Sequence, residues 1–118
     1  MQFGYEKLEV SKLARGLIRE VYLITKNFPD DEKYGLISQL RRAVASVLLN
    51  IAEGSNEESK KEFKYFVRIS ISSLVEVDCG LKIAIDLNYM KIEKYSELDP
   101  KIKELYFKLI GLAKYLAK

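Results

Sequence analysis

The sequence predicts an all-α protein, an antiparallel up-down four-helix bundle. Three observations carry that prediction. Apolar residues recur at i, i+3, i+4 and i+7 in four long segments. No segment shows the alternation of a strand. Breakers sit between the periodic segments: Pro29, the polar stretch from Gly54 to Ser59, and Pro100. The 118 residues are expected to form one domain spanning 1–118. That length can bury a core without a metal or disulfide staple.

Helix one is expected from about Tyr5 to Phe28, with Val10, Ala14, Leu17, Ile18, Val21, Thr25 and Phe28 inward. Pro29 ends it, because proline disfavours helix in the residue before it. Asp30 and Asp31 offer caps for helix two, which runs from Asp31 or Leu36 to Glu53. Leu36, Leu40, Ala43, Val47 and Ile51 make its seam. Gln39, Arg42, Ser46 and Glu53 form a second, polar stripe about a quarter turn away at ~100° per residue. Gly54 is expected as a left-handed cap.

Ser59, followed three residues later by Glu62, predicts a capping box for helix three. That helix should run from about Lys60 to Asn88 on one seam through Phe63, Phe66, Val67, Ser70, Leu74, Val77, Leu81, Ala84 and Ile85. Lys91 to Asp99 is expected as a loop. Pro100 then opens helix four, which runs to Leu116 with Ile102, Leu105, Leu109, Leu112 and Leu116 inward.

Two helices carry more apolar surface than a solitary bundle needs. Tyr65, Ile69, Ile83 and Leu87 make a second stripe on helix three; Ile37, Val44 and Leu48 do so on helix two. So wide an apolar arc predicts a homo-oligomer.

Composition closes several routes to chemistry. There is no histidine and one cysteine, Cys79. The usual zinc sites and nucleophile–histidine pairs are excluded. No catalytic residue, metal site or cofactor is expected, and an enzyme is the least favoured class. No apolar run approaches ~20 residues, so a soluble cytoplasmic protein with no membrane association is expected. The net charge of +3 is mildly basic.

Several polar groups stand out. Glu76 lies on the second stripe of helix three, midway between Ile69 and Ile83. A carboxylate among apolar groups needs a partner. Arg42 is the first candidate and Arg41 the second, as a salt bridge between helices or between subunits; a ligand or RNA contact is the alternative. Asn50 and Glu53 end helix two, and are expected to tie the next connection through backbone hydrogen bonds. Lys12, Arg15, Arg19 and Lys26, with Tyr22 among them, form an exposed basic ridge on helix one. An ordinary solvated face is one reading; a surface that holds phosphates and stacks a base is the other. Lys108, Lys114 and Lys118 are expected to extend the ridge. Gly35 is expected at a close backbone approach or bend, and Cys79 as a small packing residue.

One set of motifs resembles a known family. Phe28-Pro29, Glu32, Tyr34-Gly35-Leu36, Gln39-Leu40-Arg41-Arg42-Ala43, Ser46 and Asn50-Ile51-Ala52-Glu53-Gly54 lead it. Ser59-Lys60-Lys61-Glu62-Phe63, Phe66, and Ser73-Leu74 with Glu76 follow at the right distance. The pattern resembles the four-helix-bundle 23S rRNA intervening-sequence proteins, which are distantly related to the accessory variability proteins of diversity-generating retroelements. The resemblance implies a homo-oligomer, commonly a pentameric ring. Through the retroelement relatives it implies nucleic acid, or a nucleoprotein such as a reverse transcriptase, as partner. It assigns no catalytic residue, and the motif positions Gln39, Arg42, Ser46, Asn50, Glu53, Ser73 and Glu76 transfer without a role. The sequence departs from the pattern where Ser55-Asn56-Glu57-Glu58 is acidic, and where Ser70 and Ser72 replace smaller residues.

The expected function is therefore a non-enzymatic oligomeric bundle that binds structured RNA or DNA, or a nucleoprotein, through the ridge. The alternative is a structural or protein-interaction module that binds no nucleic acid.

Overall fold

A computed structural model describes residues 1–118. Four long helices account for most of the chain: α1 (Glu9–Thr25), α2 (Leu36–Ser55), α3 (Lys60–Asp86) and α4 (Ile92–Leu116). Short 3₁₀ turns at Gly4–Lys7 and Asp30–Glu32 precede α1 and α2. Cross-helix contacts set the directions. Arg41, early in α2, reaches Thr25 at the end of α1. Gly80, late in α3, lies against Leu40, early in α2. Asp78 of α3 meets Tyr95 of α4, and Glu9 and Glu20 of α1 meet Lys108 and Lys101 of α4. Each helix is thus antiparallel to its neighbours, and α1 against α4 closes a bundle about 44 × 23 × 23 Å.

The core is a single cluster of 23 buried apolar residues drawn from all four helices. The expected seams of α2 and α3 turn inward and are buried, except that Leu36, Phe63, Phe66 and Ile85 are half-buried. On α1, Val10, Ala14, Leu17, Val21, Thr25 and Phe28 are buried, and Ile18 is half-buried.

Four boundary details differ from the sequence reading, each for a physical reason. Helix one does not start at Tyr5. Leu8 is extended, at φ −76° and ψ 135°, and breaks the chain between a 3₁₀ turn and α1. On one continuous helix, Tyr5 and Leu8 would point roughly opposite to the core at ~100° per residue. The break lets both pack against it.

The cap of α2 is Glu32. The Leu36 N–H donates to its Oε1 at 3.0 Å, and the Tyr89 hydroxyl donates to Oε2 at 2.8 Å. Asp30 and Asp31 instead open the preceding turn. Gly35 is a close-approach position as expected, since a Cβ there would fall 2.5 Å from Glu32 Oε1.

Gly54 is not a left-handed cap. No glycine has a positive φ, and α2 continues through it to Ser55. A Cβ at Gly54 would meet Phe63 Cδ1 at 2.8 Å and Phe66 Cβ at 2.9 Å. Its role is to let α2 and α3 converge.

Helix three ends close to the expected place. Asn88 takes the left-handed conformation at φ 63°. The Tyr89 N–H reaches the Ala84 carbonyl at 2.8 Å, and the Asn88 N–H reaches Ile85 at 3.0 Å. This pair of bonds is a Schellman motif, here on asparagine. At its other end, Ser59 Oγ accepts the Glu62 N–H at 3.1 Å, as the capping box required.

Helix four begins at Ile92, so the expected loop is helical and Pro100 lies inside the helix. Tyr95 and Leu98 bury on the seam that continues through Ile102 and Leu105. Pro100 is exposed, so its ring faces solvent and the cost is a missing N–H to the fourth carbonyl before it.

Candidate functional site

The motif residues of α2 and α3 meet in a polar ladder along the outer edge of that helix pair. Gln39 Nε2 donates to Glu76 Oε2 at 2.8 Å. Ser46 and Ser73 share a hydroxyl hydrogen bond of 2.9 Å. Asn50 Nδ2 donates to both the carbonyl and the hydroxyl of Ser46, each at 2.9 Å. Below them, the buried Ser70 hydroxyl donates to the Val47 carbonyl at 2.8 Å. A hydroxyl–hydroxyl pair needs the two helices close, which small residues and Gly80 allow: a Cβ at Gly80 would sit 2.6 Å from Leu40 Cδ2. The ladder fixes how far α2 has slid along α3.

This arrangement corrects three expectations within the protomer. Glu76 is exposed and meets Gln39, not Arg42 or Arg41. Arg42 is exposed and makes no ion pair in the protomer. Asn50 turns back onto its own helix and does not tie the connection, while Glu53 is exposed among carboxylates. Glu57, beside it, has its carboxyl pushed above the ordinary range, chiefly by a hydrogen bond with Glu62 and also by the charges of Glu53 and Glu58.

Arg41 has a different position. Its Nε donates to the Thr25 hydroxyl at 2.9 Å, and a terminal nitrogen donates to the Tyr22 carbonyl at 3.3 Å. Its guanidinium lies 4.5 Å from the centre of the Tyr22 ring. The residue clamps α1 to α2.

The helix-one ridge forms as expected. Lys12, Arg15, Arg19 and Lys26 are exposed on the side of α1 opposite its buried face. None of them joins an ion pair. The ridge is about 21 Å long at ~1.5 Å per residue. Tyr22 is 39% exposed, but one side of its ring is occupied by Arg41.

Lys108 and Lys114 do not extend the ridge. Lys108 pairs with Glu9 and Glu104, and the Glu9 hydrogen bond is the main reason its ammonium is held above its ordinary pKa. Lys114 faces the seam between α3 and α4 instead.

That seam carries a surface the sequence reading missed. Lys64, Arg68 and Lys114 surround a hollow of about 170 Å³, floored by Ile71, Ile110 and Ala113. The next hollow along, about 220 Å³, is lined by Val75, Tyr106 and Phe107 and ends at Asp78 and Lys103. There the Tyr95 hydroxyl donates to Asp78 Oδ1 at 2.5 Å, and Lys82 and Lys103 pair with Asp78 and Asp99. Burial pushes Tyr95 up, and the Asp78 charge adds to it. Burial alone would raise Asp78; bonds from Tyr95 and Lys82 outweigh it and hold the carboxyl low. The i, i+4 spacing of Lys60, Lys64 and Arg68 was the available signal.

The apolar stripes divide. Val44 is fully buried, and Ile37 and Leu48 pack half-buried against the core. The helix-two stripe therefore serves this protomer, contrary to expectation. The helix-three stripe stays outward, with Tyr65 62% exposed and Ile83 and Leu87 also exposed. Leu49 of α2 is exposed as well. Cys79 is exposed and is not a packing residue.

A family model described as 23S rRNA-intervening sequence protein matches residues 6–111. The chain belongs to that family. Its match covers the ladder, the ridge and most of α4. A crystal structure of a protein of unknown function from the S23 ribosomal protein family of Bacteroides thetaiotaomicron shares the fold, with a TM-score of 0.79 and 20% identity over 89% of this chain and 98% of that one. None of the curated proteins matches the chain. No helix is long and apolar enough to cross a membrane.

Proposed function

We propose that the chain is a non-enzymatic bundle protein of the cytoplasm that assembles with copies of itself and binds the backbone of structured RNA or DNA, alone or within a nucleoprotein such as a reverse transcriptase complex. One observation carries the reading. Four cations stand in a row on the outer face of α1, none neutralised by a carboxylate of the protomer. Elsewhere, α1 spends its acidic residues Glu9 and Glu20 on lysines of α4, which leaves the ridge uniformly positive. Such a row favours phosphates by releasing their counterions. Arg41 over Tyr22 makes the ridge a backbone surface rather than a stacking platform.

The test is the quadruple replacement K12Q/R15Q/R19Q/K26Q. Binding to a ribosomal RNA helix should weaken at low salt. The slope of log affinity against log salt should fall by about 3 to 4, given ~0.9 per phosphate contact. Unchanged affinity and slope would remove the ridge from the account.

A second reading, a protein-interaction module without nucleic acid, is favoured by the exposed apolar residues of α3, Tyr65, Ile83 and Leu87, and by the exposed Leu49 of α2. The family resemblance supports a pentameric ring, and native mass spectrometry reads it. A ring that ignores RNA at every salt concentration would move the function to this second reading.

A further inference from the structure

We infer that the seam between α3 and α4 is a second nucleic-acid surface, one that takes a single strand. The inference rests on the nucleic-acid reading above and divides the labour: the ridge holds backbone, and the seam holds unpaired nucleotides.

The chemistry of the seam differs from that of the ridge in two respects. First, its cations border a cleft with an apolar floor. Lys64 is half-buried at the edge, Arg68 and Lys114 are exposed, and none of the three makes an ion pair. Secondly, the seam carries a ring free to stack. Phe107 is 66% exposed. It rests at a steep angle on Tyr106, centroids 5.4 Å apart, which steadies it with no cation over it. Phe107 lies two helical turns from Lys114, about 10 Å at ~1.5 Å per residue.

Cations along a groove, with an aromatic ring in line, are how proteins track a single strand. The phosphates meet the charges, and each base offers a face to a ring whatever its identity. The groove has a physical end. Beyond Phe107, Asp78 and Asp99 are matched by Lys82 and Lys103, so the excess positive charge stops there.

The experiment uses the full chain and two labelled probes, a short oligouridine and an RNA hairpin duplex, across a salt series. The groove variants are K64Q/R68Q/K114Q and Phe107→Ala, with Phe107→Trp as the rescue. All four positions lie at the surface, and circular dichroism checks that each variant folds. The triple variant should lower the oligouridine salt slope by about 2, at ~0.7 per phosphate contact. Phe107→Ala should cost about tenfold in oligouridine affinity, restored by tryptophan. K12Q/R15Q/R19Q/K26Q should affect the duplex and spare the oligouridine.

Groove variants that bind oligouridine like the parent overturn the inference; if the ridge variant still loses the duplex, the ridge reading survives. Loss of oligouridine binding in the groove variants alone, with duplex binding untouched by the ridge variant, supports the inference and removes the ridge. A parent that binds neither probe overturns both. A groove variant that lowers the native mass of the assembly assigns the seam to a second copy and overturns the inference.

Discussion

Arg41 and Thr25 join the first two helices across their shared turn, guanidinium Nε to hydroxyl at 2.9 Å. Thr25 is buried, and its hydroxyl donates a hydrogen bond to the Val21 carbonyl at 2.8 Å. The hydroxyl therefore accepts from one helix and donates within the other. Arg41→Ala should cost about 1–3 kcal/mol in a urea melt, since it removes a charge-assisted bond and a cation–π contact. Arg41→Lys should recover little, because an ammonium lacks the planar fork that serves both Thr25 and the Tyr22 carbonyl. A lysine variant as stable as the parent would show that charge alone suffices.

Glu76→Gln should leave the protomer nearly as stable as the parent, within about 0.5 kcal/mol. The side chain is exposed, and a glutamine can still accept from Gln39. A urea melt at low and high salt checks this. A larger, salt-dependent loss together with reduced native mass would place an arginine of a neighbouring copy against Glu76.

The glycines should respond in opposite directions. Nothing lies within 4 Å of a Cβ added at Gly16 or Gly111. Gly16→Ala and Gly111→Ala should each stabilise by about 1 kcal/mol through helix propensity. At Gly54 the new methyl would press on Phe66 Cβ at 2.9 Å and the Phe63 carbonyl at 3.2 Å. Gly54→Ala should destabilise by about 1–3 kcal/mol despite the same propensity gain. Thermal melts of the three variants decide the matter.

Glu32 should give stability an acid limb. Its carboxyl is held below the ordinary value of 4.5, first by the Leu36 N–H and then by the Tyr89 hydroxyl. The folded state therefore resists protonation more than the unfolded state does. The resulting stabilisation is fully present above the ordinary value and is lost as pH falls through the depressed one. In urea melts from about pH 6 downward, the gap between the parent and Glu32→Gln should narrow as Glu32 protonates. A gap independent of pH would mean the carboxylate charge contributes nothing.

The buried seams were legible because their spacing is regular: Leu40, Val47 and Ile51, or Leu74, Val77 and Leu81, have no reading except an inward helical face. The Ser59–Glu62 cap was legible because its two partners are three residues apart. Pro100 misled, since a proline at a helix start and one on the solvent face of a helix interior look alike in one dimension. Only the 3–4 spacing of Tyr95, Leu98 and Ile102 distinguished them. Gly54 misled for a related reason, because sequence does not say whether a glycine is wanted for its backbone freedom or for its missing side chain. Among the candidate site residues, the ridge needed one helix and was readable. The pairing of Gln39 with Glu76, and the gathering of Lys64, Arg68 and Lys114, need the relative rotation of two helices, which no single periodicity contains.

The closure of α1 against α4 has a consequence for how the molecule opens. Every other helix contact joins neighbours along the chain, so it forms with short loops. The α1–α4 seam must wait for the ends of the bundle to meet. It is lined by partly exposed pairs, Glu9 with Lys108 and Glu20 with Lys94 and Lys101, which are individually weak and screened by salt. The amide protons of α4 should therefore exchange with solvent sooner than those of α2 and α3, and sooner still as salt rises. Equal protection in all four helices would mean that the bundle opens only as a whole. If α4 does lift first, the last helix to arrive is the first to leave, and the α2–α3 pair survives as the part of the molecule that remembers its shape.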